Sequence, residues 1–247
     1  MNTSSSVKEN LNILSQKWDI PKEVYDLHMG NMDNVIDTYV KIGSVIFHIP
    51  TITKNRKNHF ILWKCLWPDC HNCCEKVRLP LLKDDLKPMA KKLGYDNLKD
   101  FISRETTVTS WNQAVDPDII VTITMVTLKR RPDERQDEVD EMLRCRFLND
   151  RECSIHPDKP SVCQMYPFNP WIQTDENGRI EVHCKFAFTG DCPGFYVDDS
   201  IDSMLDILED YSPKIYNYCM ATRRSNREGY SCFTNFQQLD VEKWKNS

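Results

Sequence analysis

The sequence predicts an α+β fold: helical N- and C-terminal segments around an irregular, cysteine-rich core with short β-hairpins. Three observations predict it. Apolar residues recur at helical spacing near both ends of the chain. Short β-branched runs bounded by turn residues fill the middle. Nine of the eleven cysteines fall between residues 65 and 192, too densely for packing alone. Three segments follow: 1–58 helical, 59–198 cysteine-rich, and 199–247 helical.

Residues 7–46 read as helical. Leu11, Leu14 and Trp18 share a face, Asp19-Ile20-Pro21 stops and restarts it, and Val24, Leu27, Val35, Ile36, Tyr39 and Val40 continue it. His59–Lys64 reads as a short strand leading into Cys65, and Val77–Leu79 as extended. Lys83-Asp84-Asp85 looks like a helix start, with Leu86, Met89, Ala90 and Leu93 inward and Gly94 as the stop. A short helix follows over Leu98–Ser103, then a strand within 118–130 and a charged, solvated stretch over Lys129–Glu141.

Asn149-Asp150 marks a turn that lets Cys145 and Cys153 face each other across a hairpin. Pro160–Phe168 reads as a helical turn between two prolines. Asp175-Glu176-Asn177-Gly178 joins Trp171–Thr174 to Arg179–Cys184 in a second hairpin. Ile201, Leu205, Leu208 and Tyr211 give a helix over 199–224, which Pro213 is expected to break or kink.

The chain has 247 residues, 40% hydrophobic, enough for an ordinary buried core beside any metal. Its net charge is −5 with no dominant basic run, which argues against a nucleic-acid partner. No apolar run reaches the ~20 residues that span a bilayer, and the N-terminus lacks the apolar region of a signal peptide. A cytoplasmic protein without a membrane partner is expected.

In that setting a cysteine cluster reads as metal ligation rather than a disulfide framework. The run Cys65-Leu66-Trp67-Pro68-Asp69-Cys70-His71-Asn72-Cys73-Cys74 places four thiols in ten residues. Thiolates so spaced can converge on a soft cation or an iron–sulfur cluster. Adjacent Cys73 and Cys74, if extended, point apart and can serve two centres. Only Cys70-x2-Cys73 forms the short pair usual for zinc, whereas grouped cysteines with distant partners suit iron–sulfur clusters. Lys64, Lys76, Arg78, Arg144, Arg146 and Arg151 would offset thiolate charge. His71, His156 and His183 are further candidates, as ligands or as hydrogen-bond donors to the site. The isolated glycines support no Rossmann or P-loop nucleotide site, and Cys65-x4-Cys70-x2-Cys73 misses the radical S-adenosylmethionine spacing by one residue.

Two blocks resemble a known family. One is the cysteine-rich opening that ends in Cys73-Cys74. The other contains Cys145, Phe147, Leu148, Cys153, Ile155, His156, Pro160, Cys163, Tyr166, Pro167 and Phe168, and Cys192-Pro193-Gly194 closes the pattern. Residues 60–198 resemble the YkgJ-type cysteine-cluster proteins, described as zinc- or iron-chelating. The family's opening is commonly tighter than Cys65-x4-Cys70. Cys184 has no counterpart in the pattern, and Cys219 and Cys232 lie outside it.

The resemblance implies eight metal ligands: Cys65, Cys70, Cys73, Cys74, Cys145, Cys153, Cys163 and Cys192. Eight would saturate two four-thiolate sites, whether zinc or 4Fe–4S. The first expectation is an iron–sulfur cluster (4Fe–4S) used in redox or protein-modification chemistry, with a protein as partner or substrate. The alternative is a non-catalytic zinc module that stabilises an interaction surface. A protein lysine N-methylase, as some relatives are described, rests on the resemblance alone. No residue is assigned a catalytic role, and the oligomeric state is not set by the sequence.

Overall fold

The computed structural model describes residues 21–28, 30–32, 34–67, 69–70, 73–74, 81–116, 119–129, 145–149, 152–187 and 192–227. Within them the chain is α+β. It divides into two compact units: residues 1–72 with 167–216, and residues 73–166 with 217–247.

In the first unit only part of the expected N-terminal helix lies within the described residues, as α1 (Lys22–His28). Val35–Ile42, expected to prolong a helical face, instead forms strand β1. Five of its eight residues are β-branched, and their stiff side chains favour a pleated surface. Gly43, at φ +57°, turns the chain into β2 (Val45–Lys54), and the pair runs in register from Val35↔Ile52 to Ile42↔Val45. A helix packing that apolar set would have buried Ile36 and Tyr39, which are 58% and 64% exposed.

The expected strand at 59–64 is β3 (Lys57–Trp63), and the expected Asp175–Gly178 hairpin joins β8 (Phe168–Thr174) to β9 (Ile180–Phe186). With β10 (Phe195–Asp198) they form a six-stranded sheet in the order β10-β3-β2-β9-β8, with β1 also paired to β2. A strand has only two edges, and β1 occupies one edge of β2 over its length. The other edge is therefore shared, with parallel β9 on Val45–His48 and antiparallel β3 on Thr51–Lys54.

Alternation divides the sheet into two faces. Val45, Phe47 and Ile49 of β2, with Val182, Cys184 and Phe186 of β9, are buried on one. Asp37, Tyr39, His48, Trp171, Glu181 and His183 share the other by register. In this unit the buried face is covered by a 3-10 turn (Asp202–Met204) and the start of a long helix (Leu205–Arg227). Met204, Leu208 and Ile215 are fully buried there, and the Tyr211 ring meets Phe168 at 4.7 Å and Trp63 at 5.9 Å.

Of the break or kink expected at Pro213, the break does not occur: the helix runs through it. Pro213 is solvent-facing, while its neighbour Ser212 donates from Oγ to the Ile42 carbonyl at 2.7 Å. Anchored packing on the buried side offsets the one lost backbone hydrogen bond.

In the second unit, α2 (Lys83–Lys92) and α3 (Leu98–Glu105) appear where the spacing placed them. Asn97 caps α3, its Oδ1 accepting from the Asp100 amide at 2.8 Å. The expected strand is β5 (Ile119–Leu128), and it pairs with β4 (Thr106–Asp116), a strand the sequence reading left unassigned. Leu86, Met89, Phe101, Val126, Leu128, Phe147 and Ile155 make the core of this unit. Val77–Leu79, residues 130–141 of the charged stretch, His71 and Cys232 lie outside the described residues.

Candidate metal centre

Cys73, Cys74, Cys145, Cys153 and Cys163 belong to the second unit; Cys65, Cys70 and Cys192 belong to the first. Four of the second unit's five candidate ligands lie close together. The Cys145 amide donates to the Cys74 carbonyl at 2.9 Å, which ties the opening cysteine run to the second block. Cys73 and Cys74 are helical rather than extended, so their side chains diverge by the helical step instead of the strand alternation.

A short hairpin, β6 (Leu148–Asn149) with β7 (Glu152–Cys153), follows. Its register sets Cys153 opposite Leu148, not opposite Cys145 as expected. Cys145 stands one turn earlier, where its carbonyl accepts from the Leu148 amide at 3.1 Å. The backbone amides of Ile155 and His156 both reach Cys153, whose thiolate they favour.

The last thiol sits on α4 (Ser161–Met165), started by Pro160 as the sequence suggests. Asp85 fixes this turn. Its Oδ1 accepts from the Ser161 amide at 2.9 Å and from Ser161 Oγ at 2.6 Å, while its Oδ2 accepts from the Leu82 amide at 2.9 Å. One buried carboxyl thus joins the start of α2 to the turn that carries Cys163. Burial pushes the Asp85 carboxyl up, against these hydrogen bonds.

The electrostatics show that the four are neighbours. Cys163 is a partly exposed residue, yet its sulfur is enclosed, and burial pushes its thiol well up. Cys145, Cys74 and Cys153 act in the same direction, and Lys159 opposes them. Burial also raises Cys153, with Cys74 adding to it. Cys145 lies in the hydrophobic core of the unit, with Cys74, Cys153 and Cys163 packed against it.

Among the described residues no group of three or more His, Cys, Asp or Glu side chains is drawn close enough to hold a metal ion as it stands. The four thiols are adjacent rather than locked together. As a donor set they fit a four-thiolate centre: soft sulfur, four in number, with amides and a lysine to offset anionic charge.

The charge-offset expectation is partly corrected. Arg146 is engaged elsewhere, its Nε 3.0 Å from Glu105 Oε2 and its guanidinium donating to the Arg104 carbonyl. Lys76, Arg78, Arg144 and Arg151 lie outside the described residues. Lys159 supplies positive charge instead. Its signal was the Lys159-Pro160 pair inside the second block. Asp85 had none beyond its place at a helix start.

In the first unit the Trp63 indole N–H donates to Cys192 Sγ at 3.4 Å, and the Lys64 amide donates to the Gly194 carbonyl at 3.0 Å. The Cys192-Pro193-Gly194 turn is therefore stitched to the residues just before Cys65. A Cβ at Gly194 would stand 2.2 Å from the Lys64 carbonyl oxygen, so only glycine permits this approach. Cys65 is exposed and Cys70 partly buried. Cys184 is a core residue of β9, and Cys219 is buried, its thiol pushed up to about 12 by burial.

The sequence profile of the CxxCxxCC family, described as "Putative zinc- or iron-chelating domain", matches residues 64–185. Residues 64–185 are thus similar to that chelating domain. The match agrees with the cysteine-cluster resemblance read from the sequence, and makes this a metal-binding cysteine-cluster protein. The family's label corresponds here to positions 67, 70, 73 and 74. Trp67 stands at the first, and Cys65 lies two residues earlier. No curated protein and no solved structure matches the chain. No helix among the described residues is long and apolar enough to cross a membrane.

Proposed function

We propose that Cys74, Cys145, Cys153 and Cys163 hold a 4Fe–4S cluster, and that the protein uses it in redox or protein-modification chemistry with a protein partner. The carrying observation is the convergence of these four thiols on one core, with the Cys163 sulfur enclosed. When bound, such a cluster supplies one-electron transfer.

The chain's own residues do the rest. The Ile155 and His156 amides favour the thiolate of Cys153, Lys159 offsets negative charge, and Asp85 holds the turn that carries Cys163. The pattern of ligands supports iron over zinc: one thiol from the opening run and three from a block about seventy residues later, rather than two short cysteine pairs. Cys65, Cys70 and Cys192, in the first unit, and Cys73, in the second, are the remaining candidate ligands.

The test is metal and sulfide analysis with an absorption spectrum on protein purified without oxygen. Iron with matching sulfide, and a broad band near ~400 nm that bleaches on reduction, is expected. Serine at any of the four positions should lower iron content, while Cys219→Ala should not. Stoichiometric zinc without visible absorption would overturn the redox reading in favour of a structural module.

A further inference from the structure

The outer face of the six-stranded sheet carries a second group of metal-ligating side chains, apart from any cysteine. His48 on β2 and His183 on β9 meet ring to ring, with His48 Nε2 2.9 Å from His183 Nδ1. Each imidazole turns its other nitrogen to a carboxylate. His48 Nδ1 lies 3.5 Å from Asp37 Oδ2, and His183 Nε2 lies 3.5 Å from Glu181 Oε2.

The four residues form one line: carboxylate, imidazole, imidazole, carboxylate. Trp171 stacks on His183 at 5.4 Å and 20°, and Tyr39 packs edge-on against His48 at 4.7 Å. The aromatic walls bury both imidazoles, while Asp37 and Glu181 stay open to solvent.

A proton count exposes the difficulty in this line. It has three gaps, and each needs one hydrogen to be a hydrogen bond. Two neutral imidazoles bring only two N–H groups. If one N–H points inward to join the rings, one carboxylate faces a bare ring nitrogen. Among the described residues, buried His183 Nε2 makes no hydrogen bond, with Glu181 Oε2 standing 3.5 Å away. A cation in the central gap removes it. Both lone pairs then point inward to the ion, and both N–H groups point outward to Asp37 and Glu181. That is the carboxylate–histidine–metal arrangement, which fixes the tautomer and strengthens the imidazole as a ligand. The two carboxylates also balance a divalent charge.

We propose that His48 Nε2 and His183 Nδ1 bind a divalent borderline transition ion, with zinc as the chemistry that fits first. Two imidazole bonds of ~2.0–2.1 Å at a tetrahedral angle place the nitrogens ~3.4 Å apart. From their 2.9 Å spacing the rings must separate by about half an ångström and tilt so that both lone pairs meet at the ion. The ion keeps two positions for water or an exogenous ligand, one more than a catalytic zinc held by three protein ligands. No thiol takes part, and the assignment stands whether the cysteines hold iron or zinc.

The test is a zinc titration of the full-length protein as purified, its thiolate centre loaded. Calorimetry gives the stoichiometry, and long-range proton–nitrogen spectra of the imidazoles identify the bound nitrogens. One further equivalent of zinc is expected, with shifts at His48 Nε2 and His183 Nδ1. His48→Gln and His183→Gln should each lose that equivalent while the near-ultraviolet circular dichroism stays unchanged. Asp37→Asn and Glu181→Gln touch only the rim. They should keep the stoichiometry and weaken affinity ~10- to 100-fold. The proposal is overturned if no further equivalent binds, if binding persists in both histidine variants, or if the central gap is filled by a third proton and zinc leaves the ring spectra unmoved.

Discussion

Binding of metal at the four-thiol centre should be steeply pH-dependent. Burial holds the Cys153 and Cys163 thiols above the ordinary range, so each carries its proton in neutral solution. Metal takes the thiolate, so both protons must leave. Each released proton makes affinity tenfold weaker per unit fall in pH, about 1.4 kcal/mol. Two protons give roughly 100-fold per unit, so from pH 8 to pH 6 affinity should fall by about 10⁴. Other ligating thiols that arrive protonated steepen this further. The assay is chelator competition for zinc at pH 6, 7 and 8 on metal-free protein, with calorimetry in two buffers of different protonation enthalpy to count protons. Cys163→Ser should remove one proton from the count and tenfold per unit from the slope. An affinity flat with pH, or a slope that Cys163→Ser leaves unchanged, would refute the placement of Cys163 among the ligands.

Asp85→Ala deletes the acceptor for the Leu82 and Ser161 amides and the Ser161 hydroxyl; a loss of about 2–3 kcal/mol in denaturant unfolding is expected, with faster release of metal to a chelator. Gly194→Ala drives a Cβ against the Lys64 carbonyl oxygen and should cost about 1–3 kcal/mol by thermal unfolding, with the indole environment of Trp63 altered in fluorescence. The folded pKa of Cys219 is raised from 9.0 to about 12, so its stabilisation is complete below pH 9 and is lost as pH rises toward 12. Cys219→Ala should therefore flatten the alkaline stability loss of metal-free protein by about 1.4 kcal/mol per pH unit in that window. Chelator-treated protein should keep hydrogen-exchange protection over Leu86–Phe101 and lose it over Cys145–Cys163; global loss of protection would contradict a metal-independent core.

The elements legible in the sequence were those with one dominant local signal. Gly178, at φ +76°, closes a hairpin that few other residues could turn, and Asp175-Glu176-Asn177-Gly178 announced it. The helices α2 and α3 carried apolar spacing with a stop or a cap. Strand β1 was misread because Val35, Ile36, Tyr39 and Val40 fit a helical face as well as a pleat, and only the pairing with β2 decides between them. Strand β4 was legible in the β-branched and aromatic run from Thr106 to Trp111, which its pairing with β5 turns into a strand. At the site, the cysteines were conspicuous as residue types. Their division between two units was not, since that depends on contacts between positions far apart in sequence. Asp85 and His48 were invisible for the same reason: each acts on a partner 76 or 135 residues away.

The core beneath the thiols bears on what the metal is for. In a zinc finger the metal substitutes for a core the chain is too small to build, and binding and folding are one event. Here Leu86, Met89, Phe101 and Ile155 are at most 1% exposed; Cys145 is part of that cluster, and Cys74, Cys153 and Cys163 pack at its margin. A unit with such a core is expected to fold without a cation. Ligands that are adjacent but not caged leave the free energy of closing the site to be met on binding. On that ground we propose that the thiol group holds a functional centre rather than stapling a scaffold.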